Sequence, residues 1–511
     1  MHPRLEHESD PQILRNAVRL LVNENDVLLR KLQAALSKNA ALTGKDQAIA
    51  LAQMELLKEQ LAAANRKLYG ASSEQRSASD EPPAPDAAAP VAKQKGHGPT
   101  PQPALPRIEV LHNVANDDAS CSACGSALAI WEGHDETSDE ITVVERTFVV
   151  HVHRRPKLRC ACGSCIKVAP APPKVRENGR YSAAFAVSVA ISKYLDHLPL
   201  ERQCRIMARQ GLTVTSQTLW DQIEGLATWL QPAWVRLGAH QRTTPLLHVD
   251  ETPWRMADRG NRPSRWWAWV SRSEDGAYFE IKDSRSKDAG SALLAGYTGR
   301  VMSDGYAAYH AMHKAALREC GKSFTHAHCW SHVRRKFIEL ETTFPAEAKE
   351  ALKRIDAIFA LEREFPEHRT DDPTLQLRAK MRTERSAPLI ASLGAWLHAL
   401  QPLPQSGLGK AVQYTANLWQ GLILFLADPR IPLSNNAAER VVRGPVVGRK
   451  NYYGARSERG CQVAAILYSL LESAKLCNIE PSAYLRGAIA EALAGTTARL
   501  PHEIRAAQDH R

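Results

Sequence analysis

The chain of 511 residues is 44% hydrophobic, enough for several domains with packed cores, and carries a net charge of +11 with a pI near 9.1. A cation excess of that size favours an anionic partner such as nucleic acid, through steering and counter-ion release. No apolar run reaches the ~18 residues of a membrane helix and the first residues lack a secretory layout, so a membrane protein is excluded. A cytoplasmic location is expected, with the ten cysteines reduced and acting as metal ligands or core residues.

Residues 10–70 read as a helical arm. Leu14, Leu21, Leu28, Ala35, Leu42, Ile49 and Leu56 recur every seven residues, with Val18 and Leu32 on the adjoining seam position. That is the leucine-zipper-like seam of a coiled coil, which would join copies of the chain into a homo-oligomer. Asn25 falls in the seam, where a polar residue sets register; Asn39 and Asp46 weaken the middle heptads, and Thr43-Gly44 leaves two shorter helices or an antiparallel hairpin open. Residues 71–107 are poor in large apolar side chains and dense in Pro, Ala and Ser, the composition of a disordered linker.

A cysteine cluster marks a module over 108–175. Cys121 and Cys124 form one close pair, and Cys160, Cys162 and Cys165 supply a second about 35 to 40 residues later, with strand-like sequence over 142–152 between them. Two such pairs present four thiolates to one structural Zn2+. Cys162 and Cys165 have the usual spacing and are the expected second pair; Cys160 is the alternative ligand.

Residues 180–235 turn helical. One helix begins after Pro199 and stops near Gly211; a second is capped by Thr215 or Ser216 and turns Leu219, Ile223 and Leu226 to one face. The pair suits helix-turn-helix recognition of DNA, with Ser216, Gln217 and Thr218 approaching base edges.

From 240 to 340 the pattern becomes α/β. Strands are predicted at 246–250, 266–270 and 278–281, then a short helix over 289–296 and a strand over 299–303. Three hairpin-linked strands, a helix and a further strand follow the order of the ribonuclease H-like fold, with Asp250 on the first strand and Asp304 ending the fourth. Residues 341–430 read as an all-helical insertion from apolar spacing of three and four. Within 431–460, Ser434 is the expected N-cap of a helix that carries Glu439, and 461–511 reads as a C-terminal helical segment.

Asp250, Asp304 and Glu439 lie 54 and then 135 positions apart, so only the fold can gather them. Gathered, three carboxylates can hold a pair of hard divalent cations for phosphodiester chemistry. Six cations crowd 440–459, among them Arg440, Arg443, Arg449 and Lys450, beside Tyr452 and Tyr453; phosphate contact and base stacking are both available there. Arg334, Arg335 and Lys336 form a second basic group, following the Cys329-x-x-His332 pair.

The segments HVDETPWRM, SDGYAAYHAM, HCWSHVRRKF and NNAAERVVRGPVVGRKNYYGARSERG, with AAILYSLLESAKLCNIEPSAYLR and RKLYGASSEQ outside them, resemble the insertion-sequence-66 family of DDE transposases over most of the chain. The resemblance implies Asp250, Asp304 and Glu439 as catalytic acids using Mg2+ or Mn2+, a zinc-binding domain, and a supporting role for the Cys-x-x-His element. It implies terminal-repeat and target DNA as partners, with accessory proteins of the same element. Ser434 stands where that family often has an Asp, and a serine caps a helix about as well. The readings weighed against an active transposase are a DNA-binding regulator without catalysis and a metal-dependent nuclease that cuts without joining.

Overall fold

The computed structural model describes Arg30, residues 108–109, 123–124, Ser126, Ile141, and residues 147–159, 165–256, 265–365 and 372–509. The chain divides into two units, Met1–Leu68 with Thr147–Arg511, and Tyr69–Arg146; the elements below all belong to the first. The heptad seam lies outside the described residues, as do the linker over 71–107 and Cys121, Cys160 and Cys162. Cys124 and Cys165 are described, and both are exposed.

Two short strands, β1 (Lys157–Arg159) and β2 (Ile166–Val168), pair antiparallel; three of the clustered cysteines fall between them in sequence. Residues 147–152, expected to be strand-like, have no regular structure; Phe148 instead packs edge-on against Phe185, 6.2 Å between centroids.

Helix α1 (Ala183–Tyr194) is capped by Ser182, which accepts from Phe185 N at 3.2 Å. Helix α2 (Leu200–Arg209) follows Pro199 and ends before Gly211, whose φ of 84° is a left-handed turn. Helix α3 (Ser216–Gln241) is capped by Thr215, which accepts from Thr218 N at 3.2 Å. Leu219, Ile223, Leu226, Leu230 and Leu237 are buried along α3, in one core with the sheet and the C-terminal helices. Helix α3 runs on to Gln241 as its apolar stripe continues.

The central sheet takes β3 (Leu246–Arg255), β4 (Arg265–Arg272), β5 (Ala277–Lys282), β6 (Arg300–Ser303) and β7 (Thr325–His328), with α4 (Lys287–Leu294) before β6 and α5 (Ala307–Cys320) after it. Its order is β5-β4-β3-β6-β7; β4 runs antiparallel to both its neighbours β3 and β5, while β6 and β7 run parallel to β3. One face buries Leu247, Val249, Trp269 and Val301 against α4 and α5. The other buries Trp254, Ala268, Val270 and Phe279 in the core containing α3.

Helices fill the long interval before Glu439: α6 (Trp330–Ile338), α7 (Pro345–Glu364), α8 (Asp372–Met381), a π-helical turn (Arg382–Ser386), α9 (Ala387–Ala399), α10 (Gly407–Leu422) and α11 (Leu424–Ala427). Arg382, fully buried, donates to the Phe425 carbonyl at 2.8 Å and to Glu362 at 2.5 Å, which holds the π turn against its neighbours. The chain closes with α12 (Asn436–Tyr452), α13 (Glu458–Leu476), α14 (Pro481–Leu493) and α15 (Pro501–Asp509). No helix among the described residues is long and apolar enough to cross a membrane.

Helix α13 is apolar nearly all round because it is a core helix, and its two serines have a specific task. Ser473 Oγ accepts from Ala277 N at 2.9 Å and Ser469 Oγ from Phe279 N at 2.8 Å, so donors of the edge strand β5 are satisfied by side chains one helical turn apart. Replacing either serine by alanine strands a buried N–H and is expected to cost about 1–3 kcal/mol in urea unfolding. An unchanged midpoint in the double variant would refute this edge-capping role.

Candidate functional site

Alternation along β3 turns successive side chains to opposite faces. Leu247 and Val249 join the α4–α5 layer, and Glu251 follows them: its Oε2 accepts from Tyr309 OH at 2.6 Å. His248 and Asp250 face the other way, toward α12, where His248 Nδ1 lies 3.1 Å from Asn435 Oδ1. Strands β3 and β6 pair from Leu246 with Arg300 to His248 with Met302; two residues further along each chain, Asp250 is level with Asp304.

Asp304 sits in the turn after β6. Its Oδ1 accepts from Tyr306 N at 2.9 Å, and its carbonyl accepts from Tyr414 OH of α10 at 2.7 Å, so the helical insertion braces the turn. Gly305 has φ of 86°, and a Cβ there would also meet Leu418, so glycine is required.

Burial holds the Asp250 carboxyl well above the usual aspartate range, and the negative charges of Glu251, Asp304 and Glu439 add to it. Asp250 thus lies in the joint field of both other acids. Glu439, in the first turn of α12, is 34% exposed; its Oε1 is buried without a hydrogen-bond partner among the described residues, and His332 Nε2 stands 3.8 Å away. Uncompensated negative charge and an orphaned oxygen are features that a cation would relieve. The ligand oxygens of the three acids do not all fall within 4.8 Å of one another.

What places Glu439 is Asn435. The residue caps α12 by position, with no side-chain capping bond, and Ser434 does not cap it as the sequence suggested. The fully buried Asn435 carboxamide faces β3 instead: Nδ2 donates to the Val249 carbonyl at 2.8 Å while Oδ1 meets His248. Its backbone N–H donates to Cys329 Sγ at 3.1 Å. Trp330 N donates to the Leu433 carbonyl at 2.8 Å, so the Cys329-x-x-His332 element fastens the segment leading into α12. Further along, Arg449 donates to Thr252 Oγ1 at 2.8 Å and to the Pro253 carbonyl, holding α12 beside β3.

Sequence reasoning missed two groups. Asn435 was visible only as half of an Asn pair before a helix, and nothing local distinguishes a capping amide from one reaching a strand. Glu251 was hidden by its neighbour Asp250. Arg285 donates to Glu251 Oε1 at 2.9 and 2.5 Å and lies over the rings of Tyr306 and Trp267 at 3.8 and 4.7 Å. Arg285→Ala leaves the buried Glu251 carboxylate with Tyr309 alone and is expected to destabilise the fold by about 3 kcal/mol. Adding Glu251→Gln should restore part of that loss, and a double variant no more stable than the single would refute the pairing.

Comparison with known proteins turns on residues 178–463, which match the model described as "Transposase IS66 family" over more than half of the chain. The chain belongs to the IS66 transposase family. A second model, "Transposase C of IS166 homeodomain", matches residues 56–110, a stretch that includes the segment read as a linker. Three uncharacterised proteins of Sinorhizobium fredii (strain NBRC 101917 / NGR234) are similar. One, y4jD, is 32% identical over 411 residues, covering 77% of this chain and 78% of its own. Another, y4hP, is 28% identical over 75% of this chain and 72% of its own, and y4qI is 30% identical over 71% and 69%.

As an IS66 family member the chain belongs to a class of nucleotide-transferring, DNA-binding proteins that generally use a divalent metal. The residues expected to touch DNA separate by what they already hold. On α12, Arg440, Arg443 and Lys450 are exposed on one stripe that begins beside Glu439, whereas Arg449 is committed to β3. Tyr453 is 68% exposed, while Tyr452 is turned inward, with its hydroxyl on Tyr468 and Lys193 Nζ 3.8 Å over its ring. Arg334 forms a two-point ion pair with Asp356 at 2.6 and 3.1 Å, and Lys336 Nζ is 3.7 Å from Glu339; Arg335 is half-buried. At the start of α3, Gln217 is exposed and donates to Asp221 at 2.9 Å; Ser216 and Thr218 are half-buried.

Proposed function

We propose that this protein is an active DDE transposase, cutting DNA at the ends of an insertion element and joining them to a target through Asp250, Asp304 and Glu439. The observation that supports the reading is that three far-separated acids share one electrostatic field: Asp250 on β3, Asp304 in the turn after the neighbouring parallel strand β6, and Glu439 on a helix pinned to β3 by Asn435. The strand order, three antiparallel strands followed by two parallel ones, supports a ribonuclease H-like core for that chemistry.

Two Mg2+ or Mn2+ ions held by these carboxylates would supply polarisation of the phosphoryl oxygens and activation of the attacking oxygen. The protein's own part is placement. Asp250 is fixed on β3 by its pairing with β4, Asp304 by the turn that Tyr414 braces, and Glu439 by the α12 clamp, while the N–H donors of Glu251 and Tyr306 orient one oxygen of each aspartate. The exposed stripe of Arg440, Arg443 and Lys450 would take the phosphates on either side of the scissile bond, and the α3 start would lie against duplex DNA. Water, then the freed 3′-hydroxyl, serves as nucleophile in successive in-line displacements, so no side-chain nucleophile is required. A Zn2+ bound by Cys121, Cys124, Cys162 and Cys165 would brace a small module, and the heptad seam would pair two chains across two element ends.

The test incubates the protein with labelled terminal-repeat duplex and supercoiled target in Mg2+ or Mn2+. Joined products support the proposal; cleavage without joining would make the protein a nuclease. Binding with no cleavage in either metal would leave a DNA-binding regulator and overturn the catalytic reading.

A further inference from the structure

Three ligand-type side chains other than the acidic trio meet elsewhere in the fold. His240 lies in the last turn of α3, Asp275 in the turn joining β4 to β5, and His502 in the first turn of α15. One ligand atom from each lies within 4.8 Å of the others, and among the described residues this is the only such group. His240 Nε2 is 3.1 and 3.0 Å from the two Asp275 oxygens, and the His240 and His502 rings stack at 3.6 Å with 8° between planes. We propose that these residues, with one imidazole swung out of the stack so that a nitrogen of each ring converges with an Asp275 oxygen, form a binding site for one divalent transition-metal ion of the zinc class, which fastens the C-terminal helix to α3 and the edge of the sheet.

The donor set carries the choice of metal. Two imidazoles and one carboxylate suit zinc and its neighbours, leave a fourth position for water, and are poorly matched to magnesium or calcium, which take oxygen ligands. A His–Asp ion pair by itself would account for His240 and Asp275. It would not account for His502, whose Nδ1 is buried with no hydrogen-bond partner among the described residues.

Behind the ligands is a supporting layer of the kind that aims metal-binding carboxylates. Ser273 Oγ donates to Asp275 Oδ1 at 2.8 Å and accepts from Gln241 Nε2 at 2.9 Å; Ser273 and Gln241 are only 2% and 1% exposed. A Cβ on Gly276 would run into that Gln241 amide, so the turn is shaped around it. Cys477 Sγ donates to the Asp275 carbonyl at 3.2 Å, tying the turn to the end of α13. The neighbouring cation Arg236 is occupied, donating to Glu503 and, at 2.9 Å, to the Ala498 carbonyl.

The experiment uses the full chain as wild type, Asp275→Asn and His502→Phe, the last keeping a ring for stacking but no ligand. After saturation with zinc and dialysis, wild type should retain one more equivalent than either variant and show a larger zinc-induced rise in Tm. After cobalt loading, the wild-type spectrum minus that of either variant should show d–d absorption without thiolate charge transfer, which separates this site from any cysteine site. In the wild type, zinc should also slow carbethoxylation of His240 and His502 by diethyl pyrocarbonate, a readout that requires no variant to fold. Equal metal content and equal Tm shifts in all three proteins, or unslowed modification, would overturn the site.

Discussion

Asp250→Asn is expected to abolish cleavage and joining, by on the order of 10³-fold or more, while making the metal-free protein more stable. The two effects share a cause. Burial and three neighbouring acids raise the Asp250 pKa, so its ionisation costs folding free energy. For a carboxyl whose folded value is raised, stability is fully present below its ordinary value of 3.8 and is lost as pH rises through the folded value. The asparagine variant escapes that loss. Its advantage should grow from acid toward pH 8, where a Tm gain of roughly 1–3 °C is expected. Magnesium should then raise the wild-type Tm and its removal by dialysis should lower it again, with the variant responding to neither. A variant that still joined DNA ends, or melted below wild type at alkaline pH, would remove Asp250 from the proposed role.

Asn435→Ala is expected to be the most damaging single change away from the acids. It strands the Val249 carbonyl and one His248 nitrogen in a buried interface, at a cost of about 2–5 kcal/mol. It also frees the start of α12, and a shift of even ~1 Å at Glu439 should lower strand transfer by about 10²-fold. Asn436→Ala is the control, because that residue is exposed and should change stability by less than about 0.5 kcal/mol. Urea unfolding and a joining assay on both variants decide the matter; equal behaviour of the two would show that α12 is held by other contacts.

Much of the secondary structure was legible because it is a local property. Alternation and β-branched or aromatic content marked the cores of β3, β4 and β5, although each strand extends beyond its predicted range; Pro199, Gly211 and Thr215 bounded α2 and α3 as their backbone preferences require. The Ser434 cap failed for an equally physical reason. A serine and an asparagine beside one another are both good caps, and the asparagine occupies the cap position while its amide reaches across to β3. Arg449 and Arg334 looked like free cations in a basic run, but their guanidinium groups are spent on Thr252 and Asp356, partners remote in sequence.

By itself the sequence determined the strand and helix periods, the basic surplus, the cysteine pairs and the acidic candidates, because each follows from residue type and short spacing. Only the tertiary structure decided which acids meet. The parallel register of β3 with β6 sets Asp250 level with Asp304, and a slip of one residue in β3 would turn Glu251 toward α12 in its place. The same holds for Asn435 with Val249 and for His240, Asp275 and His502, groups whose separation along the chain leaves no local trace of their contact. Side-chain direction and strand register are properties of the assembled sheet, so the chemistry they align is written in the fold.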